Sequence, residues 1–472
     1  MLVSQLFKDA ALSREIKNKE VTNITDNSHN CCEGSVFVCH KSGEKYVEEA
    51  LSKGAILVVS EKQLCENTYI TDNTKREYAR LCGEFFGNRH KNIKLIAVTG
   101  TNGKTTTANM IYTILSMSGK KCGLIGTVKS NICGEETDTS LTTPDPFEIH
   151  RMLSDLYEWG GEYCVIEASS QGIAEERLYG LDWHISVLTN FSRDHLDYHG
   201  TMESYLAAKK QVFKDCTKVI INIDDENKEE FIRETKGKVI TYSLKNNEAD
   251  YVAKSIRQDE NGSDYAVVAD YQIHRIKLGV PGEFNIMNSL AAIATARECN
   301  VSLEFCAYAL KSFSGIKGRM EIVDITAEYK VIIDYAHTPD ALKKVLLSLN
   351  SFPHSRIITV FGCGGERDRE KRSLMGDIAS QLSDVLIVTS DNPRGEEPMK
   401  IIDDILSGIE KNKKSVYIHE NRRKAIEYAL KIAGKNDIIL LAGKGHEIYQ
   451  IVGEEKIHMD EREIVREIIS GK

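Results

Sequence analysis

The 472-residue sequence predicts an α/β protein with three domains. Short apolar runs with the character of strands alternate with helical segments along most of the chain, which is typical of parallel sheets covered by helices. A glycine-rich turn, Gly100–Thr106, lies between a predicted strand and a predicted helix. A second glycine-containing stretch, Ser314–Arg319, separates two regions of strand and helix alternation and predicts a hinge.

The first domain, residues 1–91, is predicted to be a small α/β unit. Strand-like runs occur at Ser35–Cys39 and Ala55–Val59, and a helical stretch, Lys45–Ser52, lies between them. The polar stretch Asn88–Asn92 follows and is interpreted as a linker to the next domain.

The second domain, residues 92–315, is predicted to contain a mostly parallel sheet. Its strand-like runs are Leu95–Val98, Tyr163–Glu167, Ile185–Thr189 and Val219–Asn222. The region Asp250–Leu278 differs, because alternating runs flank a turn at Glu260–Gly262. It therefore predicts an antiparallel addition to the sheet.

The third domain, residues 316–472, repeats the alternation of strands and helices after the hinge. Strands are predicted at Val331–Asp334, Ile357–Phe361, Val385–Thr389 and Ile438–Ala442. A glycine-rich turn follows the second of these strands, so we expect a Rossmann-like domain.

Composition and charge exclude several classes of function. The net charge is −9, so polyanions such as nucleic acids and anionic membranes would be repelled on average. The sequence contains no apolar run of the ~18 residues that a spanning helix needs, and Met1–Lys19 does not have the pattern of a secretory signal. The twelve cysteines are scattered, which favours reduced thiols. We expect a cytoplasmic monomer that acts on small molecules.

The segment Gly100–Thr106 has the features of a phosphate-binding loop. Glycines let backbone N–H groups approach phosphate oxygens, and the start of the following helix adds partial positive charge. The Lys104 side chain supplies a full charge and the Thr105 hydroxyl can bind Mg²⁺. The loop is a shortened variant, because Val98 stands where the general pattern has glycine. A turn that only caps a helix is the alternative, which the Gly-Lys-Thr sequence disfavours. ATP is predicted to contact Gly100, Thr101, Asn102, Gly103, Lys104, Thr105 and Thr106.

The sequence Gly-Thr-Asn-Gly-Lys-Thr-Thr resembles the phosphate loop of the superfamily formed by Mur ligases and folylpolyglutamate synthetases, which use ATP to form amide bonds. Glu167 ends a predicted strand beside this loop, where a carboxylate can hold Mg²⁺. The resemblance implies that His195 helps to hold a second Mg²⁺. It also implies that Lys209 is carbamylated by CO₂ and binds metal as N6-carboxylysine, with Lys210 as the alternative.

Further segments resemble those of the Mur ligases, which act on UDP-muramoyl substrates. The resemblance implies that such a substrate contacts Ser28, Thr142, Thr143, Ser169 and Arg177. The sequence Asn27-Ser28-His29 departs from the family's Asp-Ser-Arg. Glu175 stands where relatives often have Gln and is left out of the site, because a carboxylate there disfavours an anionic substrate.

The C-terminal domain carries the segments Asp334–Pro339, Gly362–Asp368 and Gly318–Glu321, which also match the family. The resemblance implies that Arg319 and Asp334 lie near ATP, and it places Asn288 near the adenosine.

The tetrapeptide Asp391-Asn392-Pro393-Arg394 is typical of the members that add meso-diaminopimelate, whereas lysine-adding members lack the Arg. Diaminopimelate has a carboxylate that lysine lacks, and the Arg394 guanidinium can bind it through two hydrogen bonds. Arg367 is expected to share this role, Glu447 to accept the distal ammonium, and Gly443 to allow close approach of the backbone.

The resemblance therefore implies an ATP-dependent ligase that adds meso-2,6-diaminopimelate to UDP-N-acetylmuramoyl-L-alanyl-D-glutamate through an acyl phosphate. The expected catalytic residues are Lys104, Glu167, His195 and Lys209. The alternatives are a lysine-adding homologue, a folylpolyglutamate synthetase and a non-catalytic nucleotide-binding switch. The N-terminal unit and Asp391–Arg394 argue against a folate enzyme, and the intact catalytic set argues against a switch.

Overall fold

A computed structural model describes residues 1–8, 10, 12–139, 141–410 and 415–471 of the chain. Three predominantly parallel sheets of four, eleven and six strands follow one another along the sequence. This arrangement confirms the predicted α/β class. Among the described residues, no helix combines the length and the apolar character that crossing a membrane requires.

The N-terminal sheet contains four parallel strands in sequence order. Its buried face, with Val36 and Val59, packs against Tyr78 and Leu81 of the last helix of the unit. The elements are α1 (Val3–Leu6), α2 (Arg14–Lys17), β1 (Asn23–Thr25), β2 (Ser35–Val38), α3 (Val47–Ser52), β3 (Ala55–Ser60), β4 (Thr68–Ile70) and α4 (Thr74–Phe85).

The stretch Asn88–Asn92, predicted as a linker, is instead structured. Arg89–Asn92 form a 3₁₀ helix, and His90 is buried with its ring centroid 4.9 Å from that of His150. The polar composition of the segment conceals one buried side chain, His90, that packs against the middle domain.

The middle domain is built on the eleven-stranded sheet, in the order β15-β14-β13-β12-β11-β10-β5-β9-β6-β7-β8. Its elements are β5 (Lys94–Thr99), α5 (Lys104–Met117), β6 (Cys122–Ile125), β7 (Lys129–Ile132), β8 (Glu135–Asp138), α6 (Pro146–Glu158), β9 (Tyr163–Glu167), α7 (Ser170–Ala174), β10 (Trp183–Leu188), α8 (Leu196–His199), α9 (Met202–Lys210), β11 (Lys218–Asn222), α10 (Lys228–Glu234), β12 (Lys238–Ser243), β13 (Tyr251–Asp259), β14 (Gly262–Ala269), β15 (Gln272–Leu278), α11 (Glu283–Glu298) and α12 (Leu303–Lys311).

Strand β5 lies at the centre of this sheet, between β9 and β10, and pairs with both in parallel. Leu95, Ile96, Ala97 and Val98 are fully buried, as expected for a strand with helices on both faces. Because parallel strands present their carboxyl ends at one edge, the loop after β5 meets the ends of β9 and β10. This arrangement brings Glu167 beside Gly100–Thr106.

Antiparallel strands extend both edges of the sheet. Strands β13, β14 and β15 form the predicted addition, with its turn after Asp259. The β6–β8 extension on the opposite edge was not predicted. Its residues 129–138 are mostly polar and β8 is exposed along its length, so the sequence carries no apolar alternation there.

The C-terminal sheet has the order β16-β17-β21-β18-β19-β20 and is parallel except for β16, while β22 and β23 form a separate hairpin. The elements are β16 (Glu321–Ile322), β17 (Lys330–Asp334), α13 (Pro339–Asn350), β18 (Ile357–Phe361), α14 (Glu370–Leu382), β19 (Val385–Val388), α15 (Pro398–Leu406), β20 (Val416–Ile418), α16 (Arg422–Ile432), β21 (Ile438–Ala442), β22 (Tyr449–Val452), β23 (Glu455–His458) and α17 (Glu461–Ser470). The loops after β17, β18, β19 and β21 share the carboxyl edge of this sheet, where most of the candidate residues of the domain lie.

Candidate active site

Two glycines give the loop after β5 its shape. Gly100 has φ +147° and Gly103 has φ +85°, in the region that favours glycine. A Cβ atom on Gly100 would collide with the Thr189 hydroxyl, and one on Gly103 would collide with the Asn288 side chain. The loop therefore packs directly against the end of β10 and against Asn288 of α11.

Lys104 begins α5 and curls back over the loop. Its Nζ donates to the carbonyl oxygens of Gly100 and Thr101, each at 2.9 Å. Burial lowers the pKa of this ammonium, while the carboxylates of Glu167 and Asp194 act in the opposite direction. A phosphate group could replace the two carbonyls as the partner of Lys104, because a charged acceptor forms the stronger hydrogen bond.

Glu167 and Thr105 have the chemistry of a magnesium site. The Glu167 carboxylate is fully buried and accepts from the Thr105 hydroxyl at 2.8 Å, the Thr127 hydroxyl at 2.9 Å and the Thr127 N–H at 2.8 Å. Within the described part of the chain, Glu167 has no ion-pair partner within 4.0 Å. A buried carboxylate beside a hydroxyl, with no protein cation, fits a hard oxygen-binding cation. Thr127 was missed by the sequence analysis, since nothing in its local pattern distinguishes it.

Lys209 on α9 is 1% exposed and lies beneath the loop. Its Nζ donates to the Gly100 carbonyl at 2.8 Å and the Thr99 hydroxyl at 3.4 Å. Burial, followed by the nearby Lys104 charge, holds the pKa of Lys209 well below its ordinary value. Lys210, by contrast, forms ion pairs with Glu230 at 3.4 Å and Glu234 at 3.2 Å. The two neighbouring lysines thus have very different environments.

His195 lies at the turn before α8, with φ +54°. Its backbone N–H donates to Asp194 Oδ1 at 2.8 Å, and its ring nitrogen Nε2 lies 3.3 Å from Asp194 Oδ2. Burial lowers the pKa of the His195 imidazole, and the Asp194 carboxylate only partly offsets this. A neutral imidazole is the form that binds metal. The sequence analysis assigned no role to Asp194, which precedes His195 in the chain.

A cavity of about 760 Å³ opens beside the loop, between the middle and C-terminal domains. Asn288, Arg319 and Asp334, all predicted ATP-site residues, line it. Arg319 Nη2 donates to the Thr105 hydroxyl at 3.4 Å, and its guanidinium lies 4.6 Å from the centre of the Tyr335 ring. Burial raises the pKa of Asp334 to about 6, and its Oδ2 accepts from the backbone N–H of Met320 at 2.7 Å.

Four of the five predicted UDP-muramoyl residues form one cluster. The Thr143 hydroxyl lies 3.0 Å from the Ser169 hydroxyl, and Arg177 Nη1 donates to the Thr143 carbonyl at 2.7 Å. The Thr142 hydroxyl accepts from Thr127, which also binds Glu167. The cluster therefore adjoins the candidate magnesium site.

Ser28, the fifth residue, lies in the N-terminal domain. Its hydroxyl is buried and donates to Glu49 Oε2 at 2.7 Å. Lys53 lies 2.7 Å from the other oxygen of the same carboxylate, and His29 lies 3.0 Å from it. The predicted substrate contact Ser28 thus belongs to a group of polar and charged residues in the N-terminal domain.

Arg367 and Arg394 converge on Gly364 in the C-terminal domain. A Cβ atom on Gly364 would lie 3.0 Å from Arg394 Nη1 and 3.6 Å from Arg367 Cγ. Burial, followed by the charge of Arg367, lowers the pKa of Arg394. Arg394 Nη1 donates to the Gly365 carbonyl at 2.7 Å, so part of the fork is oriented by the backbone. Two neighbouring guanidinium groups form a favourable place for a carboxylate.

A buried polar network supports this pair of arginines. Lys444 Nζ donates to Glu447 Oε2 at 2.7 Å and to Asn392 Oδ1 at 2.8 Å, and Asn392 Nδ2 donates to Glu447 at 2.9 Å. Glu447, predicted to accept an ammonium, thus already has a cationic partner. Lys444 belongs to the Gly443–Glu447 motif but was not assigned a role from the sequence.

The remaining predicted residues of this region are parts of the loop packing. Gly443 has φ +109°, and a Cβ atom there would lie 2.9 Å from Asp391 Oδ2. Gln450 donates to the Asp391 carbonyl at 2.5 Å. The Pro393 carbonyl lies so close to Gly365 that a Cβ atom at Gly365 would collide with it. Asp391, Pro393 and Gly443 therefore bring the loops after β18, β19 and β21 together.

Comparisons with known proteins place the chain in a family. Residues 98–296 match the Mur ligase middle domain, and residues 318–445 match the glutamate ligase domain of Mur ligases. A UDP-N-acetylmuramoyl-L-alanyl-D-glutamate--2,6-diaminopimelate ligase of Clostridium tetani is 41% identical over 463 residues, covering 95% of each chain. The protein of that name from Bacillus cereus is 37% identical, covering 100% of this chain and 98% of its own.

Solved structures give the same result. The structure of a UDP-N-acetylmuramoyl-L-alanyl-D-glutamate--2,6-diaminopimelate ligase superimposes with a TM-score of 0.70 at 31% identity, covering 100% of this chain and 99% of its own. MurF ligase from Thermotoga maritima, in complex with ADP, shares the fold with a TM-score of 0.68 at 20% identity, covering 96% and 97%. The chain belongs to the Mur ligase family.

Proposed function

We propose that this protein uses ATP to join meso-diaminopimelate to UDP-N-acetylmuramoyl-L-alanyl-D-glutamate, a step of peptidoglycan precursor synthesis. The proposal rests on one observation. The phosphate loop of the middle domain and the arginine pair of the C-terminal domain, Arg367 and Arg394, belong to domains that are in direct contact. Arg319 of the C-terminal domain lies 3.4 Å from Thr105 of the loop, and Arg367 lies 3.6 Å from Asp197 of the middle domain. The relatives that carry this activity in their names are similar along the whole chain.

The proposed reaction has two steps. An oxygen of the terminal D-glutamate carboxylate attacks the γ-phosphorus of ATP, and the bond between that phosphorus and the oxygen retained by ADP breaks. The amine of diaminopimelate then attacks the acyl carbon, loses a proton, and displaces phosphate as the tetrahedral intermediate collapses. Lys104 stabilises the charge that shifts during phosphate transfer, and Arg319 approaches from the other domain. Arg394 and Arg367 bind the distal carboxylate of diaminopimelate. This binding orients the reacting amine of diaminopimelate toward the acyl carbon.

Mg²⁺ would be held by Thr105 and Glu167, and a second ion by His195 and carbamylated Lys209. When bound, Mg²⁺ would offset phosphate charge. The proposal is supported by the buried Glu167 carboxylate, which has no protein cation within ion-pair distance in the described part of the chain.

Carbamylation of Lys209 is predicted to be detectable directly. The Lys209 amine is enclosed by the neutral Thr99 hydroxyl and Gly100 carbonyl, so an ammonium there has poor compensation. Reaction of the neutral amine with CO₂ forms an N–C bond and releases a proton, giving an anion. With ¹³C-labelled bicarbonate we expect a carbamate carbon signal by NMR from the wild-type protein. Lys209→Ala should remove it.

Lys210→Ala is the matched control, because Lys210 is adjacent in sequence but paired with Glu230 and Glu234. It should keep the signal. A carbamate signal that persists in Lys209→Ala would disprove the assignment to this lysine.

Glu175→Gln is expected to lower the KM for the UDP-muramoyl substrate about threefold without changing kcat. Glu175 is ion-paired with Arg177, one of the proposed substrate contacts, and therefore competes with a substrate anion. Steady-state kinetics with varied nucleotide-sugar substrate measure the effect. Glu176→Gln is the control, since that carboxylate binds Arg76 of the N-terminal domain. An increased KM in Glu175→Gln would mean that Glu175 instead orients Arg177 for the substrate.

The proposed function is tested by phosphate release from ATP with UDP-N-acetylmuramoyl-L-alanyl-D-glutamate, offering meso-diaminopimelate or L-lysine in parallel. Release with diaminopimelate, and a product heavier by that residue, is the expected result. Release with lysine alone would retain the ligase activity and reject the amino acid assigned here. ATP hydrolysis without amide formation would support a nucleotide-dependent switch.

The cytoplasmic location and the monomeric state remain predictions from the sequence. Size-exclusion chromatography with light scattering would test the second, with an expected mass near the 52.9 kDa of one chain.

A further inference from the structure

Three ion pairs connect residues 193–197 of the middle domain, which include the start of α8, to residues 367–370 of the C-terminal domain, which end at the first residue of α14. Arg193 Nε lies 3.3 Å from Asp368 Oδ2, and the same guanidinium contacts Glu370. Arg367 Nη1 lies 3.6 Å from Asp197 Oδ2. Each segment thus supplies one arginine and at least one carboxylate to the other.

The polarity of these pairs fixes how the two segments align. The middle-domain segment presents a cation at 193 and an anion at 197, whereas the C-terminal segment presents a cation at 367 and an anion at 368. Reversing the alignment would place Arg193 against Arg367 and Asp197 against Asp368. Because like charges in contact are unfavourable, the pattern selects one register of the two domains.

The ion pairs differ in how strongly they should stabilise the contact between the two domains. Asp368 is 8% exposed at its side chain, whereas Glu370 is 76% exposed. An exposed ion pair contributes little because water screens it, but a buried carboxylate that loses its cation is left with a desolvation cost. Arg193–Asp368 is therefore the pair on which the alignment depends.

A buried carboxylate lies next to this contact. Asp194, the neighbour of Arg193, is 4% exposed and lies 3.9 Å from both Lys371 Nζ and His337 Nε2 of the C-terminal domain. These longer contacts draw the two domains together at the same place. The aligned segments also contain His195, a proposed metal ligand, and Arg367, a proposed amino-acid contact.

We propose that Arg193 is a positioning residue: through Asp368 it holds the C-terminal domain in the register that presents the amine to the acyl phosphate. The effect on catalysis rests on the proposed function, whereas the effect on domain arrangement does not. Arg193 itself is not among the residues proposed to contact ATP, metal or either substrate.

A double-mutant cycle tests the pair. Arg193→Gln and Asp368→Asn should each lower kcat about tenfold, and the double variant should be no slower than the slower single variant. The KM for the UDP-muramoyl substrate should change less than about twofold, because the ion-pair partners of Arg193 are Asp368 and Glu370 and neither is a proposed contact of that substrate. Arg193→Lys should recover much of the rate, since it keeps the charge.

Arg151→Gln is the matched control. Arg151 is 44% exposed at its side chain, close to the 41% of Arg193, but its partners Glu148 and Asp155 lie on the same helix. It should retain the wild-type kcat. Additive losses in the cycle, or a wild-type rate in Arg193→Gln, would overturn the proposal.

Small-angle X-ray scattering of the full chain with a non-hydrolysable ATP analogue provides a readout that does not depend on ligation. Arg193→Gln should have a larger radius of gyration than the wild type, and Arg151→Gln should not. Identical scattering from Arg193→Gln and the wild type would reject the positioning role. If the wild-type protein forms no amide, the proposed function fails while this comparison still decides whether Arg193 holds the domains.

Discussion

Replacing Lys104 by alanine is expected to reduce phosphate release by about a thousandfold while leaving the fold intact. Lys104 is the only residue of the Gly100–Thr106 loop with a charged side chain, and its Nζ already lies over the loop, 2.9 Å from two carbonyl oxygens. Transfer of a phosphoryl group onto a carboxylate brings several negative charges together. Without the ammonium, the backbone N–H groups remain but the full positive charge is lost.

The measurement is single-turnover phosphate release with ATP, the UDP-muramoyl substrate and diaminopimelate all at saturation, combined with circular dichroism and thermal unfolding. The hydrogen bonds of Lys104 are to carbonyls of its own loop, so no packing in the core depends on it. Lys236→Ala is the control, since Lys236 belongs to the same domain with its side chain 83% exposed. A Lys104→Ala variant that is folded and turns over at the wild-type rate would show that phosphate transfer occurs elsewhere.

Much of the fold followed from features that are local in the sequence. The buried strands β9 and β21 and the buried residues of β5 are short apolar runs, and the ends of these strands could be placed within a residue or two. The phosphate loop was recognisable because one short segment contains all of its glycines, its lysine and its threonines. Glu167 could be placed beside it because parallel strands expose their carboxyl ends at one edge.

The features that were missed depend on contacts distant in sequence. The β7–β8 hairpin is polar and exposed, so its own residues do not predict a strand. Thr127 binds Glu167 across 40 positions, and nothing around it suggests this. Likewise, no sequence pattern indicates that Arg193 meets Asp368, because the pairing exists only when two domains are brought together.

The resemblance to a family identified residue types, whereas the structure adds their current partners. Glu447 was expected to accept the distal ammonium of diaminopimelate, but the Glu447 carboxylate already accepts hydrogen bonds from Lys444 and Asn392. Arg177 was expected to contact the anionic UDP-muramoyl substrate, but its guanidinium forms an ion pair with Glu175. A substrate group that binds at either place would have to share or displace an internal partner, so its affinity would depend on the difference between two ion pairs rather than on one contact.

Replacing Arg394 by lysine is expected to lower kcat/KM for meso-diaminopimelate about a hundredfold. The reaction with L-lysine should change much less. Diaminopimelate carries a distal carboxylate that lysine lacks, and a guanidinium can bind it through two hydrogen bonds whereas an ammonium acts as a point charge. The Arg394 guanidinium is oriented by the Gly365 carbonyl, to which its Nη1 donates at 2.7 Å. Competition assays with both amino acids in one reaction, read by product mass, measure the ratio directly.

Lysine is the informative replacement because Arg394 has φ +52°, and any non-glycine residue placed there meets the same backbone constraint. The lysine variant therefore removes the two-pronged guanidinium without changing the backbone requirement at position 394. Arg369→Lys serves as the control, since Arg369 is 71% exposed and bound to Glu396 instead. An equal loss of kcat/KM with both amino acids would mean that Arg394 supports the structure of the loop rather than recognising the distal carboxylate of diaminopimelate. A loss confined to diaminopimelate would show that the carboxylate is recognised by this guanidinium, and Arg367 could then be tested in the same assay for its share of the binding.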